Sequence, residues 1–240
     1  MAAESFDNSE NGGSGRGRTP ARRAAKRSHL IFEDLQRDIM LGDLAPRQVI
    51  LELDLADRFE CSQSTIREAL MFLDTDGLVE RLPHRGTFVA DCRADDAREM
   101  ILIRRDIECR GVARVLERYG PYLQKKLETG LNNMREAARE GDEYLLSLHD
   151  RSFHLNLYEA ADLPSTRPIL RRCLIHNHRY KILNAGSSRG LMETADRHVA
   201  ILDTLASGDE VAASEALSRH ITTIVELGPD ILAGPRDGVR

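Results

Sequence analysis

Cys61-Ser62-Gln63-Ser64-Thr65-Ile66-Arg67-Glu68-Ala69-Leu70 is the stretch whose reading decides how this chain is built. Ile66, Ala69, Leu70 and then Leu73 recur at three- and four-residue intervals, so one helix face carries them into a core. Ser62 stands where a helix N-cap belongs, and Gly77 where a helix over Gln63–Asp76 would stop. Gln63, Ser64 and Arg67 are left pointing outward at the front of that helix. Just upstream, Leu55, Ala56 and Phe59 give a short helix over Glu52–Phe59, and Glu60-Cys61 turns the chain between the two. Two helices joined by so tight a turn, the second presenting Gln and Arg at its start, suit the major groove of double-stranded DNA.

Working outward, Leu30 or Ile31, Leu35 and Ile39 predict a first helix over Ser28–Leu41, ended by Gly42, with Pro46 marking the turn after it. On the other side, Leu78–Leu82 and Gly86–Ala90 read as two short strands joined by Pro83-His84-Arg85, a hairpin or wing. Residues 28–91 are therefore expected to form a winged helix-turn-helix. Residues 1–27, rich in Gly, Ser, Asn and Arg, are expected to be a disordered tail. Its six cations between Arg16 and Arg27, with no acid among them, would add salt-sensitive DNA affinity despite a net charge of −5 over the chain.

Beyond a polar linker at 92–98 the pattern is helical almost to the end. Six helices are expected, at about 95–118, 121–140, 142–161, 165–184, 188–207 and 209–227, with a tail at 229–240. Short breaks between them imply an antiparallel all-α bundle, so the fold class is mainly α. Three stripes carry polar groups inward: Leu146-Asp150-Phe153-His154-Leu157-Ala161, Leu191-Ala195-His198-Leu202-Leu205 and Ala213-Leu217-His220-Ile224-Leu227. A lone buried carboxylate costs several kcal/mol. One carboxylate and three imidazoles around a cation remove that cost together, so Asp150, His154, His198 and His220 are expected to hold a divalent metal. Zn²⁺ comes first by donor type, with Ni²⁺ or Mn²⁺ as alternatives. Any one of these histidines taken alone would be read as a hydrogen-bonded core residue. His176 falls on a further stripe (Ile169, Cys173, His176, Tyr180, Leu183) that lines the same pocket or merely packs.

The string Ser62-x-x-Thr65-Ile66-Arg67-Glu68-Ala69-Leu70, with Leu55-Ala56, Gly77-Leu78-Val79 and Arg85-Gly86-Thr87-Phe88-Val89, resembles the winged helix of the GntR family of bacterial transcription regulators. The resemblance implies DNA contacts from Ser64, Thr65 and Arg67, and from His84, Arg85 and Gly86 in the wing. Gln63 and Leu53 stand where many or some members carry Arg, so the operator sequence does not carry over. Residues 99–228 resemble the FCD effector domain of the FadR-type branch. Asp150-x-x-x-His154, His198 and His220 match its metal-ligand motif, and Arg104-x-x-x-Glu108 its first-helix pattern. What this implies is a carboxylate effector at open metal positions with Arg104 as second anchor; the alternative is a pair between Arg104 and Glu108 on its own helix alone.

The reading that follows is a homodimeric, effector-responsive regulator, a repressor by family habit, and not an enzyme. The alternatives are a metal-dependent hydrolase and a regulator with a purely structural metal. No apolar run approaches the ~18 residues of a membrane span. Four scattered cysteines, without a C-x-x-C pair, fit a reducing cytoplasm.

Overall fold

The computed structural model describes residues 20–82, 85–184 and 190–223. The first helix, α1, runs Pro20–Leu41 and so begins within the segment expected to be a disordered tail. Arg27 explains part of that extension, since its guanidinium donates to the carbonyls of Phe59 and Glu60, at 2.5 and 2.9 Å. One cation of the basic arm thus satisfies the orphan carbonyls at the end of the next helix, α2 (Glu52–Arg58). Helix α3 follows at Gln63–Thr75, where the Ser62 hydroxyl accepts from the Thr65 amide as the expected cap. Ile66, Ala69, Leu70 and Leu73 are fully buried against Leu35, Ile39 and Met40 of α1.

The wing gains a strand that the sequence does not advertise. β2 (Val79–Leu82) and β3 (Gly86–Val89) pair antiparallel, Val79 opposite Val89, and a two-residue strand β1 (Val49–Ile50) pairs with the other edge of β3. The order is β1-β3-β2. Two residues are too few to show an alternating pattern, which is why β1 escaped.

Helix α4 occupies Ala94–Glu117, so the expected linker at 92–98 shrinks to the few residues after the wing, and Arg93 sits at its N-cap. Then come α5 (Pro121–Glu140), α6 (Glu143–Glu159) and α7 (Arg167–Asn184). The expected fifth bundle helix is two: α8 (Leu191–Asp196) and α9 (Val199–Ser207), broken at Arg197-His198. At the break the His198 amide bonds three residues back to Ala195 rather than four, and its ring Nδ1 is 3.0 Å from the same carbonyl. Last is α10 (Glu210–Thr222). Ile101, Leu127, Phe153, Leu170, Leu174 and Ile221 are among the fully buried residues at the bundle's centre.

The two halves meet through polar groups as well as apolar ones. Asp76, just past α3, takes both Arg171 Nε (2.9 Å) and Arg171 Nη2 (2.7 Å), and also the Gln36 amide at 3.1 Å. Arg179 Nη groups donate to the carbonyls of Ala90 and Asp91, directly after β3. Helix α7 therefore holds the far end of α3 and the exit of the wing at once.

Candidate functional site

Asp150 and His154 lie one turn apart on α6, His198 at the α8–α9 break and His220 on α10; the bundle brings all four to one point. They are at most 7% exposed. One donor atom from each lies within 4.8 Å of every other. A cation about 2.1 Å from each donor would set neighbouring donors ~3–3.4 Å apart and opposite ones at most ~4.2 Å, so the four would draw in around it. The ring orientations already favour it. His154 Nδ1 is 2.6 Å from Glu108 Oε2 and His198 Nδ1 is 3.0 Å from the Ala195 carbonyl. In each ring the N–H is thereby assigned to Nδ1, and Nε2 presents its lone pair to the centre. His154 Nε2 and His220 Nε2 face one another at 3.2 Å, and His198 Nε2 has no hydrogen-bond partner among the described residues.

The electrostatics agree with a site that takes a cation. Burial pulls the pKa of His220 well below 6.5, and its neighbours His198 and His154 push the same way. Burial also lowers His154, although Glu108 opposes it. Neutral imidazoles are the metal-binding form. Burial would raise Asp150, but His178 and His198 outweigh it and hold the carboxyl well below the usual carboxylate range. Glu108 behaves alike: burial opposes ionisation, His154 and Arg104 overcome it, and the pKa sits at about 2.

Arg104 reconciles its two expected roles. It is fully buried, and its Nε donates to Glu108 Oε1 at 2.6 Å, which is the pairing within its own helix. Its Nη1 and Nη2, however, are buried without a hydrogen-bond partner among the described residues. A planar guanidinium with two unused nitrogens is a fitting anchor for a carboxylate.

His176 does not line this centre. Its Nε2 is 3.1 Å from the Asp76 carbonyl, and the ring borders a cleft of about 320 Å³ between the two halves, with Gly77, Cys92 and Arg172. The stripe used to place it is only partly inward: its first member Ile169 is half exposed while Cys173 is buried, because α7 is covered on more than one side. A second stripe of α7, Leu170, Leu174, His178 and Lys181, is buried throughout. His178 was missed for that reason. Its Nε2 lies 3.1 Å from Asp150 Oδ1, and burial carries its pKa down to about 4 against the pull of Asp150.

In the front half, Gln63, Ser64 and Arg67 reach the surface at the start of α3, Arg67 with 56% of its side chain exposed. Thr65 does not join them. It is buried, and its hydroxyl is 2.9 Å from Ser62 Oγ, so it supports the cap instead of facing a groove. Arg85 and Gly86 are exposed in the wing, and His84 lies outside the described residues. Arg67 Nε is held by Glu52 at 2.7 Å, and Arg81 Nη2 stands 3.6 Å from the other oxygen of that carboxylate.

Residues 28–89 match the model of the bacterial regulatory proteins of the gntR family, and residues 99–223 that of the FCD domain. The chain belongs to the GntR family of transcriptional regulators, with an FCD domain behind its winged helix. Across 82% of its length this GntR regulator is 26% identical to the HTH-type transcriptional regulator BphR of Paraburkholderia xenovorans, of which it covers 82%. It is 27% identical to the HTH-type transcriptional repressor RspR of Escherichia coli, covering 82% of this chain and 86% of that one. The crystal structure of a GntR transcriptional regulator from Rhodococcus sp. RHA1 superposes with a TM-score of 0.67 at 25% identity, over 88% of this chain and all of the other. These relatives are regulators, not enzymes, so the hydrolase alternative falls. No helix among the described residues is long and apolar enough to cross a membrane.

Proposed function

We propose that this GntR regulator is a homodimeric repressor of a palindromic operator, and that it senses a small carboxylate metabolite at a divalent metal held by Asp150, His154, His198 and His220. One observation carries the sensor reading: the four-donor cluster stands beside a buried Arg104 whose two Nη atoms lack partners. The charge balance supports it. Asp150 and Glu108 bring two negative charges, Arg104 one positive and a divalent cation two more, which leaves a single positive charge for a monocarboxylate to neutralise. The donor set of three imidazoles and one carboxylate suits Zn²⁺ first, then Ni²⁺ or Mn²⁺. Bound there, the metal supplies a Lewis-acidic seat for the carboxylate. Arg104 orients it, while Glu108 holds Arg104 and the His154 ring in place.

The relatives' names support repression. Twofold symmetry would pair two winged helices on successive major grooves, with Gln63, Ser64 and Arg67 reaching the bases and Arg85 and Gly86 the backbone. A ligand alters operator affinity only by favouring one dimer geometry, and the usual coupling of ~1–3 kcal/mol changes affinity ~5- to 150-fold. Thermal-shift measurements test the reading: small carboxylates are screened against protein loaded with Zn²⁺, Ni²⁺ or Mn²⁺ and against chelator-stripped protein. A carboxylate that raises Tm only in the loaded protein supports it. Equal shifts in stripped protein, or no metal uptake, would sink it, and uptake without any carboxylate response would leave a structural metal.

A further inference from the structure

We infer that His178 is the outer donor that orients the Asp150 carboxylate toward the metal, and that through it helix α7 is fastened to the metal centre. The inference rests on the metal-centre reading above and concerns a residue outside the four-donor set.

The argument begins with what each imidazole has left to give. Asp150 has two oxygens and three imidazole neighbours: Oδ1 is 3.6 Å from His154 Nε2 and 3.1 Å from His178 Nε2, while Oδ2 is 3.5 Å from His198 Nε2. His154 and His198 already spend their Nδ1 positions on Glu108 and on the Ala195 carbonyl. Their Nε2 atoms carry lone pairs, and a nitrogen that gives its lone pair to a cation has no proton for Asp150. His178 is not so committed. It is 2% exposed, it is absent from the cluster of mutually close donors, and its Nδ1 has no partner among the described residues. Its Nε2 is near enough to Oδ1, at 3.1 Å, though neither atom is in line for a hydrogen bond until the two side chains turn toward each other. A carboxylate with one oxygen on a metal keeps its other oxygen for such a donor.

The position of His178 in the chain gives the contact a second consequence. Arg171 lies seven residues before it, two turns away on nearly the same side of α7, and grips Asp76 at the end of the recognition helix. Arg179, the next residue, grips the carbonyls that leave the wing. His178 therefore ties the carboxylate ligand to the helix that touches both DNA-reading elements.

The test uses the full chain and ZnCl₂ alone, in competition with a chromophoric chelator, on wild type, His178→Leu and His178→Gln. Loss of an outer partner of this kind costs 10- to 100-fold in metal affinity. His178→Leu should show that loss, and His178→Gln, whose amide still donates, should recover most of it. Metal-free melting temperatures and circular dichroism guard against simple unfolding, and a merely structural role would not be rescued by Gln. His178→Leu binding zinc within twofold of a zinc-binding wild type overturns the inference and leaves the metal centre standing. A wild type that binds no zinc removes the metal-centre reading, and His178 with it.

Discussion

Glu108→Gln should be the most damaging conservative change in the bundle, and the reason lies in what it strands. Glu108 is 3% exposed and spends one oxygen on Arg104 at 2.6 Å and the other on His154 at 2.6 Å. Arg104 has no exposure at all, and Glu108 is its ion-pair partner. Replacing the carboxylate by an amide keeps the volume but leaves the guanidinium charge buried without its counter-ion. Removing one partner of a buried pair in this way costs ~3–5 kcal/mol. For a chain of this size each kcal/mol moves Tm by ~2–4 °C, so a fall of ~6–20 °C is expected in metal-free protein. The converse change, Arg104→Met, should cost less, because Glu108 keeps His154 as a partner. Urea denaturation of the two variants, followed by circular dichroism, compares them directly. If Glu108→Gln unfolds within ~1 kcal/mol of wild type, or if Arg104→Met proves the worse of the two, the account of this buried pair is wrong.

Arg67→Ala should weaken binding to a duplex selected from a random library by ~5- to 150-fold, the ~1–3 kcal/mol of one bidentate base contact, with an unchanged elution volume; anisotropy titration measures it, and full affinity would remove Arg67 from the interface. Arg171→Ala takes a charge-assisted pair from the buried Asp76 and should cost ~2 kcal/mol. Hydrogen exchange at the amides after α3 should rise in that variant, and unchanged protection there would count against the grip described for α7. Acid should weaken the metal-free protein before any carboxylate is protonated. His178 and His220 stay neutral in the fold, with His178 brought from 6.5 to about 4 by burial and His220 well below 6.5, but both protonate near 6.5 once unfolded. The unfolded state therefore binds protons first, and stability falls as pH drops below about 6.5, the His178 share being spent by about pH 4. Urea midpoints that stay flat from pH 7 to pH 4.5 would contradict this.

Much of the molecule was legible because its signals are periodic or local. The α3 stripe, the Ser62 cap and the Gly77 stop needed no partner to be read, and Asp150, His154, His198 and His220 lay on stripes whose apolar members fixed the phase. Contacts between distant segments were what escaped. Nothing local marks Arg27 as a cap for α2, so α1 starts earlier than composition suggests. The break at His198 arises where its ring meets the Ala195 carbonyl. Thr65 is assigned to DNA by resemblance, yet in this chain its hydroxyl turns back onto Ser62. His176 and His178 changed places because α7 is covered on more than one side, so its apolar pattern does not choose a phase.

The clasp formed by Arg171 and Arg179 has a geometric corollary. With the reading head held by a bundle helix at two points, a tilt of α7 inside the bundle would carry the head with it. In the proposed dimer two such heads must straddle half-sites ~34 Å apart, one helical repeat of DNA. A displacement of a few ångströms in their separation would throw one head off the phase of its groove, so the regulator could let go of its operator while each winged helix kept its own shape.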